Sequence, residues 1–159
     1  MKYGYFDDER REYVITSPKT PWPWINYLGT QDYFRLISNT GGGYAFYQDA
    51  KLRRVTRYRY NNVPLDQSGT YFYIRDGDDV WNPGWQPVQA KLENYSCRHG
   101  LGYSIISGTR NGVQAEVTHL VPLNFKGEVQ RISLKNTGSE PKKLDLFSFV
   151  EWALWDAQD

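Results

Sequence analysis

Cysteine is almost absent from this chain of 159 residues, in which Cys97 is the only one. A single cysteine cannot form a disulfide within the chain, which agrees with a reducing compartment and predicts a cytoplasmic protein. The N-terminus is charged and aromatic, so we expect no secretory signal peptide. No apolar run approaches the roughly 20 residues that a membrane-spanning helix requires, so we expect no membrane partner.

An excess of charge of one sign is also missing. The 19 Lys and Arg residues are balanced by 18 Asp and Glu residues, which gives a formal net charge of +1 at pH 7. Proteins that bind nucleic acid carry an excess of basic residues on one surface. We therefore expect no nucleic-acid partner.

Side chains that bind metals or act as nucleophiles are scarce. His99 and His119 are the only histidines. Cys97 and His99 are two positions apart, but the sequence has no second Cys/His pair to complete a zinc site. The acidic clusters at residues 7–9 and 76–79 lie in polar turns, so solvated turns are favoured over a calcium loop. We expect no metal and no cofactor, and no carboxylate stands out as a catalytic acid.

Residues typical of β-strands and turns are abundant instead, with 13 Tyr, 6 Trp and 14 Gly. No segment has a convincing helical period. A row of inward-facing side chains is expected from Ile132, Leu134, Leu144 and Leu146. Strand-like runs separated by turn signals occur at residues 3–6, 13–16, 26–28, 34–38, 70–75, 103–108, 113–121, 129–136 and 143–151.

One hairpin is especially clear in the second half of the chain. Asn111 and Gly112 both tolerate positive φ, as a tight hairpin turn requires. From Val113 to Val121 apolar residues alternate with polar ones, so one face is buried and His119 belongs to the core. The glycines of Asn39–Gly43 predict a flexible turn. Together these patterns predict an all-β fold, a large antiparallel β-sandwich.

The stretch from Pro21 to Asn62 combines Trp and Tyr with Arg, and this combination suggests a surface that faces carbohydrate. Within it, the pair Arg57 and Tyr58 is followed by a second Arg-Tyr pair, Arg59 and Tyr60, and then by Asn61. If extended, this piece carries Arg on one face and Tyr on the other. It is either an edge strand with solvated Arg, or a wall that faces a sugar or another domain. The candidate substrate-binding or domain-interface residues are Arg57, Tyr58, Tyr60 and Asn61.

Four runs of sequence carry a family resemblance, namely Pro21–Gly29, Asn39–Asn62, Tyr73–Val88 and Gly127–Trp152. With them the chain resembles the cellobiose phosphorylase family of inverting glycoside phosphorylases, glycoside hydrolase family 94. The resemblance implies that residues 1–159 are an N-terminal supersandwich domain of the galactose-mutarotase type. A helical linker and an (α/α) barrel would follow, and the barrel would hold the catalytic acid and the phosphate site. No catalytic residue is therefore assigned to this chain.

The resemblance further implies a reaction in which cellobiose and phosphate give α-glucose 1-phosphate and glucose. Inorganic phosphate is then a co-substrate, and the sandwich domain supports a homodimer and the wall of the active site. Two alternatives stay open: a free-standing carbohydrate-binding module, and a purely structural dimerisation domain. The aromatic stretch Phe147–Trp155 argues against a free-standing module, because a natural terminus seldom follows so closely on such residues.

Overall fold

The computed structural model describes residues 2–59, 63 and 65–157, apart from the side chain of Thr30. These residues form sixteen β-strands and no helix, as the all-β prediction requires. In this part of the chain, nothing helical has the length and apolar character needed to cross a membrane. The strands are β1 (Gly4–Asp7), β2 (Glu12–Ile15), β3 (Ile25–Thr30), β4 (Tyr33–Ser38), β5 (Gly43–Tyr47), β6 (Arg54–Thr56), β7 (Tyr58–Arg59), β8 (Gln67–Ser68), β9 (Thr70–Asp76), β10 (Asp79–Trp81), β11 (Asn94–His99), β12 (Tyr103–Arg110), β13 (Val113–Leu120), β14 (Val129–Asn136), β15 (Asp145–Val150) and β16 (Trp152–Trp155).

Two large antiparallel sheets build the sandwich. The first has six strands in the order β1-β2-β11-β12-β13-β14, and the second has five in the order β16-β6-β5-β4-β3. A three-stranded sheet, β10-β9-β15, and the short pair β7-β8 complete the described strands. The prediction of an antiparallel β-sandwich is therefore confirmed.

The main core fills the space between the six-stranded and the five-stranded sheets. Ile15, Cys97 and Ile106 from the first sheet meet Leu28 and Ile37 from the second, and all are at most 2% exposed. Burying one such aliphatic side chain contributes about 1.5–3 kcal/mol relative to leaving it in water. A second, smaller core joins the three-stranded sheet to β13.

The predicted hairpin between β12 and β13 is confirmed. Asn111 and Gly112 have φ values of 49° and 72°, both positive as a two-residue hairpin turn requires. In β13, Val113, Ala115 and Val117 are buried, and the polar residues that alternate with them are half-buried. His119 lies in the core, where burial lowers its pKa to about 3, so the ring is neutral.

The inward-facing row expected on β14 and β15 is wrong in part. Leu134 is 38% exposed and Leu146 is 43% exposed, while Ile132 and Leu144 are half-buried. β14 is the last strand of its sheet and β15 is the last strand of the three-stranded sheet. Leu134 and Leu146 therefore meet water, whereas Leu144 packs against the second core.

Candidate functional site

Arg57 connects β6 to β7, and Tyr58 opens β7, so the two described candidates stand side by side in the chain. Their backbone is fixed by neighbouring elements. The Arg57 amide donates to the Glu151 carbonyl oxygen at 3.0 Å, and the Gly69 amide donates to the Arg57 carbonyl oxygen at 2.7 Å. The other two predicted residues, Tyr60 and Asn61, lie outside the described residues.

The arginines of this segment share one carboxylate, Glu151, which lies between β15 and β16. Arg59 donates from both terminal nitrogens to the two Glu151 oxygens, at 2.8 and 2.5 Å. The Arg57 Nε lies 3.5 Å from Glu151 Oε1. The hydrogen bonds from Arg59 hold the pKa of Glu151 below its usual range, so this carboxylate is ionised at neutral pH.

Tyr58 points the other way, toward the buried carboxylate of Asp66. Its hydroxyl donates to Asp66 Oδ1 at 2.8 Å, and the Thr40 hydroxyl donates to Oδ2 at 2.7 Å. Ser38 donates a further hydrogen bond to Oδ2. Burial raises the pKa of Asp66, and these hydroxyl donors oppose that rise. Over the described part, the predicted separation of Arg and Tyr onto two faces is therefore observed.

Arg54 and Tyr44 of the same segment pack against each other. The Arg54 guanidinium lies 3.5 Å from the centre of the Tyr44 ring, and that ring lies 5.8 Å from the ring of Tyr58. Arg54 is only 5% exposed. These three side chains therefore belong to the internal packing of the sandwich rather than to a free surface.

The glycine turn between β4 and β5 is packed against this network rather than being open to solvent. Gly42 and Gly43 are both buried, and the Gly42 amide donates to the Ser38 hydroxyl at 2.9 Å. A Cβ on Gly42 would lie 2.0 Å from Asp66 Oδ1. The glycines thus let the backbone approach a buried carboxylate.

Sequence patterns did not identify a cleft next to this network, which we name the Trp22–Trp85 cleft. It encloses about 480 Å³. Asp66 belongs to both the Tyr58 network and this cleft, and it links the two. The sequence features that could have pointed to this cleft are PWPW at residues 21–24 and WQP at residues 85–87. Only the fold brings these two runs together. The lining residues are Pro18 to Pro23, Asn39, Thr40, Leu65, Asp66, Trp85, Gln86 and Gln89.

Two of the residues singled out in the sequence, His99 and Asp79, have structural partners. His99 Nε2 donates to the Trp24 carbonyl oxygen at 3.0 Å, which ties the six-stranded sheet to the start of β3. Asp79 accepts from Arg110 at 2.6 and 2.8 Å, and these hydrogen bonds lower the pKa of Asp79. Within the described residues, no group of three or more His, Cys, Asp or Glu side chains is placed to hold a metal ion.

The fold and the site define a class: a large antiparallel β-sandwich with a polar and aromatic rim. The description "Glycosyl hydrolase 94, supersandwich domain" matches residues 11–159. The chain belongs to this glycosyl hydrolase 94 family, as the sequence resemblance implied.

Four curated relatives of the chain are named as phosphorylases. The chain is 45% identical to N,N'-diacetylchitobiose phosphorylase of Vibrio proteolyticus, over 96% of this chain and 20% of that protein. It is 43% identical to the enzyme of the same name from Vibrio furnissii, with the same coverage. It is 35% identical to 3-O-beta-D-glucopyranosyl-beta-D-glucuronide phosphorylase of Paenibacillus borealis, over 92% of this chain and 18% of that protein. The chain thus spans about a fifth of the length of these relatives.

Proposed function

We propose that residues 1–159 are the N-terminal supersandwich domain of a cytoplasmic phosphorylase that cleaves a β-linked disaccharide with inorganic phosphate. The observation that carries the proposal is the match of residues 11–159 to the supersandwich domain of glycosyl hydrolase family 94. Four relatives have names that describe phosphorylases, and these names support the same reaction class. A fifth relative, at 26% identity, is named a cyclic beta-(1,2)-glucan synthase.

The proposed reaction needs one carboxylic acid and one bound phosphate. The acid protonates the glycosidic oxygen, and a phosphate oxygen attacks the anomeric carbon from the opposite face as the carbon–oxygen bond breaks. The β-linked disaccharide is thereby split into an α-sugar 1-phosphate and a free reducing sugar. Water must be excluded, because water would replace phosphate and hydrolyse the bond. In this proposal the acid and the phosphate site lie beyond residue 159, and no cofactor takes part.

For this chain we propose the role of a support and a wall. The segment of Arg57, Tyr58, Tyr60 and Asn61 faces the catalytic domain near the substrate cleft. The fixed backbone of Arg57 and the ionised Glu151 beside it support this role, because they present oriented charges at a half-exposed rim. The same domain contributes to a homodimer.

Two disaccharides are candidate substrates. The family resemblance in the sequence favours cellobiose. The relatives from Vibrio, at 45% and 43% identity, are phosphorylases of N,N'-diacetylchitobiose, which favours the N-acetylated sugar. Both carry a β-linkage between two pyranose rings, so one inverting mechanism serves either substrate.

Phosphorolysis by the full-length protein tests the proposal. The protein is incubated with phosphate and either cellobiose or N,N'-diacetylchitobiose, and the anomeric form of the product is read by phosphorus and proton NMR. We expect an α-sugar 1-phosphate from one disaccharide in clear preference to the other. We expect none from residues 1–159 alone.

Two outcomes would contradict the proposal. One is the absence of sugar phosphate from a folded full-length protein with a panel of β-linked disaccharides. The other is the release of sugar phosphate by the isolated chain of residues 1–159. The first would favour a binding or structural module, and the second would place an acid in this domain.

A further inference from the structure

The Trp22–Trp85 cleft has the size and walls of a ligand site. Its volume of about 480 Å³ lies inside the range of roughly 300–1,000 Å³ typical of small-molecule pockets. None of its lining residues belongs to β14, β15 or β16, three strands that expose a further set of apolar side chains. The cleft is therefore a separate feature from that apolar surface.

The backbone around the cleft is held in an unfavourable conformation. Asp66, Trp85 and Gln89 have φ values of 68°, 75° and 60°, in the left-handed region that side chains other than glycine avoid. Such a conformation is costly, and it persists only where the surroundings impose it. The backbone amide of Gln89 donates to the Trp85 carbonyl oxygen at 2.7 Å, and this hydrogen bond helps to hold the strained backbone. Strain of this kind concentrates at ligand sites, and here three strained residues line one cleft.

Two indole rings contribute apolar surface to the cleft. Trp22 is 69% exposed, and Trp85 is half-buried with the Lys19 ammonium 5.5 Å from its ring centre. Aromatic rings left in water offer a flat apolar surface. A pyranose ring has a flat face of C–H groups that matches such a surface.

Amide and charged groups surround these rings. Gln86 is buried, and its amide donates to the Leu65 carbonyl oxygen at 3.2 Å. Gln89 is exposed, and its amide donates to Gln86 Oε1 at 3.3 Å. Amides both donate and accept hydrogen bonds, as sugar hydroxyls do. The charged side chains in the lining, Lys19 and Asp66, are of opposite sign, so the cleft does not select a charged ligand.

We propose that the Trp22–Trp85 cleft binds one pyranose ring of a neutral oligosaccharide, with the ring face on indole and the hydroxyls on the glutamine amides. Only the choice of β-linked sugars as probes rests on the proposed function. Binding in the cleft does not require phosphate or turnover.

Fluorine NMR on the full-length protein tests this site directly. Tryptophan is replaced by 5-fluorotryptophan, and the signals of residues 22 and 85 are assigned from Trp22→Phe and Trp85→Phe variants. Cellobiose or N,N'-diacetylchitobiose is then titrated without phosphate. We expect both signals to shift along one saturation curve with at least one of these sugars.

Matched variants separate cleft binding from other sugar contacts. Trp22→Ala removes one stacking surface and should raise the apparent Kd read from the Trp85 signal roughly fivefold to tenfold. Gln89→Ala, at an exposed position, should weaken binding in the same direction. Tyr27→Ala removes an aromatic ring that is 64% exposed on β3 outside the cleft, and it should leave the titration unchanged.

The inference is overturned if neither signal moves at high concentrations of both sugars. It is also overturned if Trp22→Ala and Gln89→Ala leave the Trp85 titration unchanged. Phosphorolysis is measured in parallel on the same samples. If sugar binds in the cleft but no phosphorolysis occurs, this inference holds and the proposed function fails. If phosphorolysis occurs but the signals of residues 22 and 85 do not move, the proposed function holds and this inference fails.

Discussion

Arg57 and Arg59 contact the same carboxylate but do so unequally. Arg59 makes two hydrogen bonds to Glu151, whereas the Arg57 Nε stands 3.5 Å from it. All three side chains are partly exposed, and ion pairs of that kind contribute about 0–1 kcal/mol to stability. Loss of the Arg57 side chain therefore leaves Glu151 paired with Arg59 and the fold intact. This makes Arg57 a suitable position at which to test a functional role.

In the full-length enzyme, Arg57→Ala should lower kcat/KM for phosphorolysis about tenfold to hundredfold. This corresponds to the loss of one charged hydrogen bond, worth roughly 1.5–3 kcal/mol. Steady-state kinetics with the preferred disaccharide measure it, and thermal unfolding checks that the fold is kept. Arg53→Ala is the matched control, because Arg53 is exposed and packs over Tyr47 rather than beside Glu151. Unchanged kinetics for Arg57→Ala would assign the segment to an outer surface.

At the scale of elements, the β4–β5 hairpin depends on Gly43. This residue has a φ of 106°, and a Cβ there would lie 2.1 Å from the Leu36 carbonyl oxygen. The register pairs Gly43 with Ile37, so the clash would fall inside the five-stranded sheet. Gly77 offers a comparison, because its φ is 63° and a Cβ there would meet nothing within 4 Å.

Gly43→Ala should make the β4–β5 hairpin open more often, whereas Gly77→Ala should leave the opening of this hairpin unchanged. Positive φ alone costs roughly 1–2 kcal/mol in an alanine, and Gly43→Ala adds a backbone clash to that cost. Hydrogen exchange of the full-length protein, followed on peptides from residues 33–47, measures local opening. We expect Gly43→Ala to speed exchange there by more than tenfold, with Gly77→Ala unchanged in the same peptides. Equal exchange in both variants would contradict this assignment of strain.

The sequence was sufficient to predict strands wherever alternation and turn chemistry were local. β13 and its Asn111-Gly112 turn are examples, as is β14, whose predicted bounds match. The strands β6, β7 and β8 have three residues or fewer, too few for a period of two to be visible. The hydrogen-bond partners of the candidate site could not be predicted from the sequence either, because Glu151 lies 92 positions from Arg59 in the chain. Only the pairing of distant strands brings such residues together.

At the scale of the whole molecule, burial differs between the core and the late strands. The core residues Ile15, Ile37 and Ile74 are fully buried. The late strands β14, β15 and β16, each at the edge of its own sheet, instead expose nine apolar residues. Where such side chains form one patch, monomeric proteins seldom leave it uncovered. The exposed members are Val129, Leu134, Leu146, Phe147, Phe149, Val150, Trp152, Leu154 and Trp155.

This surface predicts how residues 1–159 should behave when produced alone. Because apolar side chains on outer strands promote edge-to-edge association, the isolated chain should self-associate as its concentration rises through the micromolar range. Leu154 and Trp155 are 67% and 66% exposed, so replacing both by Lys should shift the chain toward the monomer. Light scattering coupled to size-exclusion chromatography measures the change. Leu101→Lys is the control, since Leu101 is 80% exposed on the turn between β11 and β12 and should leave association unaltered. A chain that stays monomeric at every concentration, or an equal effect of the control, would show that this apolar surface does not drive association.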